Sequence, residues 1–400
     1  MSNKSATARR GGLLSTMERP MRLNPLLALL FLAIASCNAR AEDTIKIGGL
    51  LETSGALASL GQPALEGALL AVDQLNAKGG IRGRKVEFVN VNTESDNTRA
   101  VTAAKRLIQQ NDITAIVGPT NSGSAFAVID TVQHAPIVMI ANGASRGIVL
   151  PSEEKKWLFL APLTDVLVQS VMMADMKRRG ITRIALLHAD SAFGTSGRDQ
   201  LERYASKFGL QVVMQQAYGN DDKDMTPQLT KIRGTDAEAV VIWATGPGQA
   251  IATRNYKQLG LKLSLYLSHA ANDFNFLRLT AGSAEGVLIP SSKMYVADAL
   301  PQTDPQREVL ESFTRDYQAK YGRQPATFAG NGYDATMLLA AAIEKVGPDR
   351  EKVREAVEAT KDYRGVTAVY SYAPDDHFGA SPDSVVLLTV KDGKFVLAPN

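Results

Sequence analysis

Read from Thr44 onward, short β-branched runs alternate with amphipathic helical stretches. This alternation constrains the chain more than any other feature. Repeated strand–helix units bury both faces of a sheet when the strands run parallel and helices cover each side. A first series has strands over 45–51, 86–91, 113–117 and 136–140, with helices over 63–77, 98–110 and 124–134. Leu65, Leu69, Val72 and Leu75 share one face of the first helix, and Gly79-Gly80 ends it. A second series alternates helices over 166–179, 196–208, 225–233, 249–259 and 275–280 with strands over 183–188, 211–216, 239–243 and 264–268. Each series has the size of one domain of roughly 100–200 residues, which predicts an α/β protein of two doubly wound parallel-sheet lobes.

The C-terminal part reads differently. Helices are predicted over 306–321, 327–346 and 350–360 without strands between them, so they are assigned to the first lobe. Strands over 368–372 and 385–390 follow, and Asp392-Gly393 turns the chain into 395–397 as a hairpin, all assigned to the second lobe. The chain is then expected to cross between lobes three times, near Pro162, Pro290 and Gly365. Lobe 1 comprises 42–162 plus 291–366, and lobe 2 comprises 163–290 plus 367–400.

Residues 1–41 form a separate segment with its own pattern. Arg19 and Arg22 precede an apolar run from Leu26 to Ala35, followed by small residues, which is the pattern of a secretory signal peptide. Residues 1–16 read as an upstream extension, with translation starting at Met17 or Met21. Six basic residues against Glu18 give this segment a net of +5, so the rest of the chain carries −2 of the +3 total. A nucleic-acid partner is not expected, because the basic excess lies in the leader. The apolar run is shorter than the ~20 residues of a membrane span. The single cysteine, Cys37, makes no internal disulfide. Ile34 to Cys37 resembles a lipobox, and Ala39-Arg40-Ala41 is an equally good cleavage site, so lipid anchoring through Cys37 and release after Ala41 both stand open. Either way the expected location is periplasmic.

In open parallel sheets, ligands bind outside the carboxyl ends of the strands. The loops that satisfy this in lobe 1 contain Asn121, Ser122 and Gly123 after one strand, and Asn142, Ala144 and Ser145 after the next. Backbone N–H groups at a helix start, beside hydroxyls, suit a carboxylate. The competing reading is that Ser122 or Ser124 only caps its helix. Lobe 2 offers the loops 189–194, 244–248 and 269–273. Catalytic signatures are missing. Gly194-Thr195-Ser196-Gly197 is one residue short of a nucleophile elbow, and the four histidines have no metal-ligand spacing. No catalytic residue, metal or cofactor is expected.

Several segments then resemble the branched-chain amino acid binding proteins of ABC importers. They are Ile45-Lys46-Ile47-Gly48, Ser54-Gly55-Ala56, Leu60-Gly61, Asn76 through Gly83, Ile116-Val117-Gly118-Pro119, Ala284-Glu285-Gly286-Val287, Tyr321-Gly322 and Gly332-Tyr333-Asp334. The resemblance implies a type I periplasmic binding fold, a "Venus flytrap" with three crossovers. It also implies a monomer that captures a small molecule and delivers it to the permease and ATPase subunits of an importer. By position, Ser122 and Ser145 resemble the hydroxyls that hold the ligand carboxylate, and Leu60 and Phe193 resemble wall positions. Gly246 stands where an aromatic residue is frequent. The departure is at His269-Ala270, where amino acid binders carry an acidic partner for the ligand ammonium. An unpaired buried ammonium costs several kcal/mol. The substitution therefore favours a carboxylate without an ammonium, of apolar or aromatic body, for which this run resembles aromatic-acid binders. The competing reading is that His269 only hydrogen-bonds loop backbone. The alternative ligand is an amino acid whose ammonium pairs with Asp190 or Glu52 instead. A ligand-sensing domain is the third reading.

Overall fold

A computed structural model describes residues 44–110 and 112–399; the leader and Cys37 lie outside them. The first sheet contains β1 (Ile45–Gly49), β2 (Val86–Asn90), β3 (Ala115–Val117), β4 (Val138–Ala141) and β5 (Leu158–Leu160) in the order β2-β1-β3-β4-β5, all parallel. The second sheet contains β6 (Arg183–Ala189), β7 (Gln211–Tyr218), β8 (Ala239–Trp243), β9 (Ser264–Leu267) and β10 (Leu288–Ser292) in the order β7-β6-β8-β9-β10, again parallel. β11 (Tyr363–Arg364) and β12 (Val369–Tyr370) pair as a separate antiparallel ribbon, and β13 (Val385–Lys391) and β14 (Lys394–Leu397) extend the second sheet as an antiparallel edge. Every residue of β3, β4, β5 and β8 is buried, as expected of strands covered on both faces.

Eleven helices cover the sheets among the described residues, in sequence order. They are α1 (Ala58–Ala77), α2 (Asn97–Gln110), α3 (Ser122–His134), α4 (Asp165–Arg178), α5 (Ala192–Tyr204), α6 (Thr226–Arg233), α7 (Pro247–Gln258), α8 (Phe274–Thr280), α9 (Arg307–Tyr321), α10 (Thr327–Val346) and α11 (Arg350–Glu358). α10 packs along α1 on the first lobe through small residues. A Cβ at Gly67 would meet the Ala329 carbonyl oxygen at 1.9 Å, and one at Gly332 would meet that of Ala64 at 2.0 Å. The two backbones therefore approach closely only because both positions are glycine.

Three differences from the sequence reading affect the site. α1 starts at Ala58 rather than at Pro63, which sits inside it. Proline fits a helix start best, but the earlier turn packs Leu60 and Gly61 into the interior. β5 and β10 were not anticipated: β5 has three residues, and Pro290 lies within β10. β9 pairs with β10 at Leu288 alone, so the missing N–H of Pro290 breaks no further parallel rung.

The third difference concerns 368–372, expected in the second lobe. This stretch lies on the first, because β5 is an edge strand whose backbone groups it covers. Tyr370 Oη donates to the Ala161 oxygen at 2.6 Å and Tyr372 Oη to that of Leu160 at 2.7 Å. Leu160 N–H donates to the His377 oxygen at 3.0 Å, and the His377 ring stacks on Phe159 at 4.2 Å. The third passage thus lies at 382–384, just before β13, rather than near Gly365. The other two follow β5 and β10.

Candidate functional site

In both lobes the strand order reverses direction beside the first strand, at β1/β3 and at β6/β8. Such switch points leave crevices at the carboxyl edge. The two crevices face each other and enclose a cavity of about 520 Å³. That is the size of a small-molecule site.

The start of α3 is the best-defined part of its wall. Asn121 caps the helix: its side-chain oxygen accepts from Ser124 N–H at 2.8 Å. The cap is therefore neither Ser122 nor Ser124. Glu52, three residues past β1, is fully buried beneath this turn. Its carboxylate accepts from Thr120 N–H and Asn121 N–H at 3.2 Å each, and from Asn121 Nδ2 at 2.5 Å. Burial pushes the Glu52 carboxyl up, and these donors pull against that shift. Glu52 consumes the backbone N–H donors of residues 120 and 121. Among the described residues no acceptor faces the backbone N–H of Ser122 or Gly123, both of which line the cavity.

Asn142, after β4, lines the same wall, and neither atom of its buried amide has a partner in the protein. Ala144 lines it too. Ser145 does not: it is fully buried behind, donates its N–H to Ser122 Oγ at 3.4 Å, and its own hydroxyl is unpartnered. Unpartnered buried polar atoms are uncommon in native proteins, and their gathering here marks a surface able to take polar groups of a guest. None of the lining residues is an arginine or lysine, so the chemistry on offer to an anion is N–H, amide and hydroxyl donation.

The second lobe contributes an aromatic wall. Phe193, in the first turn of α5, stacks on Trp243 at the end of β8, with centroids 5.3 Å apart. His269 stands edge-on to both, at 5.6 and 5.9 Å. Burial pushes the His269 imidazole down to about 4, so it stays neutral, and its Nδ1 has no partner in the protein. The hydrogen bond from His269 to loop backbone, the competing reading, is not found at that atom among the described residues. Ala270 lines the cavity beside it. Opposite, the first lobe presents Leu57, Leu60 and Phe328.

Gly246 lies off the cavity wall, although Thr245 and Pro247 are on it. It adopts φ +67, and a Cβ there would lie 3.1 Å from Leu57 Cδ2 of the other lobe. It marks one point where the lobes touch. Of the two acids considered for an ammonium, Glu52 is consumed beneath α3, while Asp190 is exposed at the cavity and its carboxylate has no hydrogen-bond or ion-pair partner among the described residues. Asp273 caps α8 through Asn275 N–H at 3.1 Å and stays off the wall.

Sequence reasoning missed Tyr218, Thr327, Phe328 and Asn331, which also line the cavity. Tyr218 closes β7, two residues beyond the expected strand end, and the rule of carboxyl-edge loops would have reached it with the right boundary. Its buried hydroxyl is unpartnered, and burial pushes the phenol up. Thr327, Phe328 and Asn331 belong to the first turns of α10, a helix that follows no strand of its own lobe and so escapes that rule. Among the described residues no group of acidic, histidine or cysteine side chains could hold a metal, and no helix is long and apolar enough to cross a membrane.

Comparison with known proteins agrees with this geometry. The chain is 26% identical over 382 residues to a Leu/Ile/Val-binding protein homolog 7 of Brucella abortus, covering 93% of this chain and 95% of that one. It is 25% identical to a leucine-, isoleucine-, valine-, threonine-, and alanine-binding protein of Pseudomonas aeruginosa, covering 84% and 88%. An extracellular ligand-binding receptor from Rhodopseudomonas palustris HaA2 superposes with a TM-score of 0.82 at 25% identity, covering 88% and 99%. The family profile described as periplasmic binding protein matches residues 44–394. With two parallel-sheet lobes on either side of one cavity, the chain belongs to the periplasmic binding proteins, a solute-binding and not an enzymatic family.

Proposed function

We propose that this protein captures a small organic carboxylate with an apolar, ring-sized body and delivers it to the permease and ATPase subunits of an ABC importer. The carboxylate is received by the free N–H groups of Ser122 and Gly123, the Ser122 hydroxyl and the Asn142 amide. The body lies between Phe193, His269 and Ala270 on one lobe and Leu57, Leu60 and Phe328 on the other. The observation that carries this reading is His269, with an unpartnered Nδ1, set edge-on to Phe193 and Trp243 at the position where the resemblance to amino acid binders implies an acidic partner for an ammonium. Closure of the second lobe over the bound anion then presents a single shape to the permease. The leader directs export, with Cys37 as anchor or Ala41 as the end of the removed segment.

A second reading, an amino acid ligand, draws on the exposed Asp190 carboxylate at the cavity and on what the Brucella and Pseudomonas relatives are named for. Thermal unfolding separates the two. The panel is benzoate, phenylacetate and cinnamate, then isovalerate, then leucine, isoleucine, valine and phenylalanine. A ligand at 100 times its Kd stabilises by about 2.7 kcal/mol. The expected result is a shift with at least one aromatic acid. A shift with the amino acids and none with any acid lacking the ammonium overturns the proposal in favour of the second reading.

A further inference from the structure

The loop that carries Ser145 continues into Arg146, and the helix that carries Phe193 continues to Gln200 and Tyr204. These two segments belong to different lobes, and they meet outside the ligand cavity. Arg146 Nη1 donates to Tyr204 Oη at 3.0 Å and to Gln200 Oε1 at 3.4 Å. Its guanidinium also lies over the Phe378 ring at 5.8 Å. Directly behind it, Asp165 at the start of α4 ties the same partners from the hinge side. Asp165 N–H donates to the Ala144 oxygen at 3.1 Å, and its buried carboxylate accepts from Val166 N–H at 2.8 Å and from Ser196 Oγ of α5.

We infer that Arg146 is a latch of the closed form: a positioning residue that touches no ligand but joins the carboxylate loop of one lobe to the aromatic-wall helix of the other. Three features support it. Arg146 is the cation in these bonds, and its contacts with Gln200 and Tyr204 span the two lobes. Gln200 is buried, so opening must rehydrate an oxygen that the closed form pairs. The latch is also two residues from Ala144 and, along α5, about two turns from Phe193, so it joins the segments that carry both walls of the cavity. A latch of this kind lengthens the residence of any guest without adding a contact to it, because affinity differences among related complexes lie mostly in the off-rate.

The inference rests on closure of the two lobes around a guest, but not on which guest. Its test compares wild type, Arg146→Ala, Tyr204→Phe and the double variant in the mature chain. The probe is whichever compound of the thermal panel binds, amino acids included, followed by stopped-flow dissociation. Loss of a charge-assisted hydrogen bond is expected to speed dissociation by about tenfold to a hundredfold in Arg146→Ala, and less in Tyr204→Phe. The association rate should change by less than about threefold, and the double variant should add little to Arg146→Ala. Small-angle scattering of the ligand-free protein should show a larger radius of gyration in Arg146→Ala. If Arg146→Ala lowers the melting temperature severely, Tyr204→Phe, which removes one hydroxyl, takes its place in both measurements. Unchanged dissociation with unchanged scattering, or full additivity in the double variant, overturns the latch. Failure of all aromatic acids with retained leucine binding overturns only the ligand class.

Discussion

Replacing Ser122 by alanine tests the anion site most directly. Ser122 is 3% exposed at the start of α3, and its hydroxyl has one recorded partner, the Ser145 N–H at 3.4 Å. At that length the bond is weak, so its loss costs the ligand-free fold less than about 1 kcal/mol. The Asn121 cap, the three donors on Glu52 and the α3 backbone stay in place, because none involves the Ser122 side chain. In the complex the same hydroxyl donates to a charged carboxylate, and such a bond is worth about 1.5–3 kcal/mol. At 1.4 kcal/mol per decade, Kd should rise by roughly 10- to 150-fold while the melting temperature of the free protein is nearly unchanged. Isothermal titration with the tightest compound of the panel measures this. Titration with the primary amide of the same compound completes the test, since a neutral guest should lose less. A Kd within about threefold of wild type would refute the assignment of the carboxylate to this turn. An equal loss for acid and amide would mean that Ser122 acts on shape alone.

Two further outcomes follow from the framework. A Cβ at Gly332 would lie 2.0 Å from the Ala64 oxygen, so Gly332→Ala should force α1 and α10 apart at an overpacking cost of about 1–3 kcal/mol, exceeding the ~1 kcal/mol gain in helix propensity. Scanning calorimetry should show a lower melting temperature than for Gly234→Ala, where the new Cβ meets only the Lys231 oxygen at 3.4 Å; an equal or higher value would contradict the close approach. Asp334 is buried beneath Val366, Thr367 and Tyr370, and burial raises its carboxyl from 3.8 to about 6. The folded state therefore holds this proton more tightly than the unfolded chain. Its contribution to stability is fully present below about pH 4 and is lost as pH rises through about 6. Urea unfolding of wild type and Asp334→Asn between pH 4 and 7 should show the wild-type advantage shrinking as pH rises. An advantage that grows instead would reverse the assignment.

Much of the architecture was legible because it is local. The strands at β1, β3, β4, β6, β8 and β9 are short β-branched or apolar runs, and the helices between them carry an apolar stripe. Both patterns repeat within a window of a few residues. What escaped were elements defined by their neighbours. β5 has three residues and is a strand because β4 pairs with it, with Tyr370, Tyr372 and His377 covering the chain around it. The stretch 368–372 carries the composition of a strand, and nothing in it says which lobe it joins.

The same division runs through the site. From the sequence alone came an α/β chain of two parallel-sheet lobes, the strand-end loops with Asn121, Ser122, Gly123 and Asn142, and the absence of an acid at His269-Ala270. Those follow from residue types and spacing along the chain. Only the tertiary structure decided that Glu52 is consumed beneath α3, that Ser145 and Gly246 stand behind the wall, and that Tyr218 and Phe328 stand on it. It also decided that burial lowers the His269 imidazole. Each of these depends on burial or on contacts between segments far apart in sequence. Desolvation and hydrogen-bond satisfaction are properties of a packed environment, and no window of sequence contains that environment.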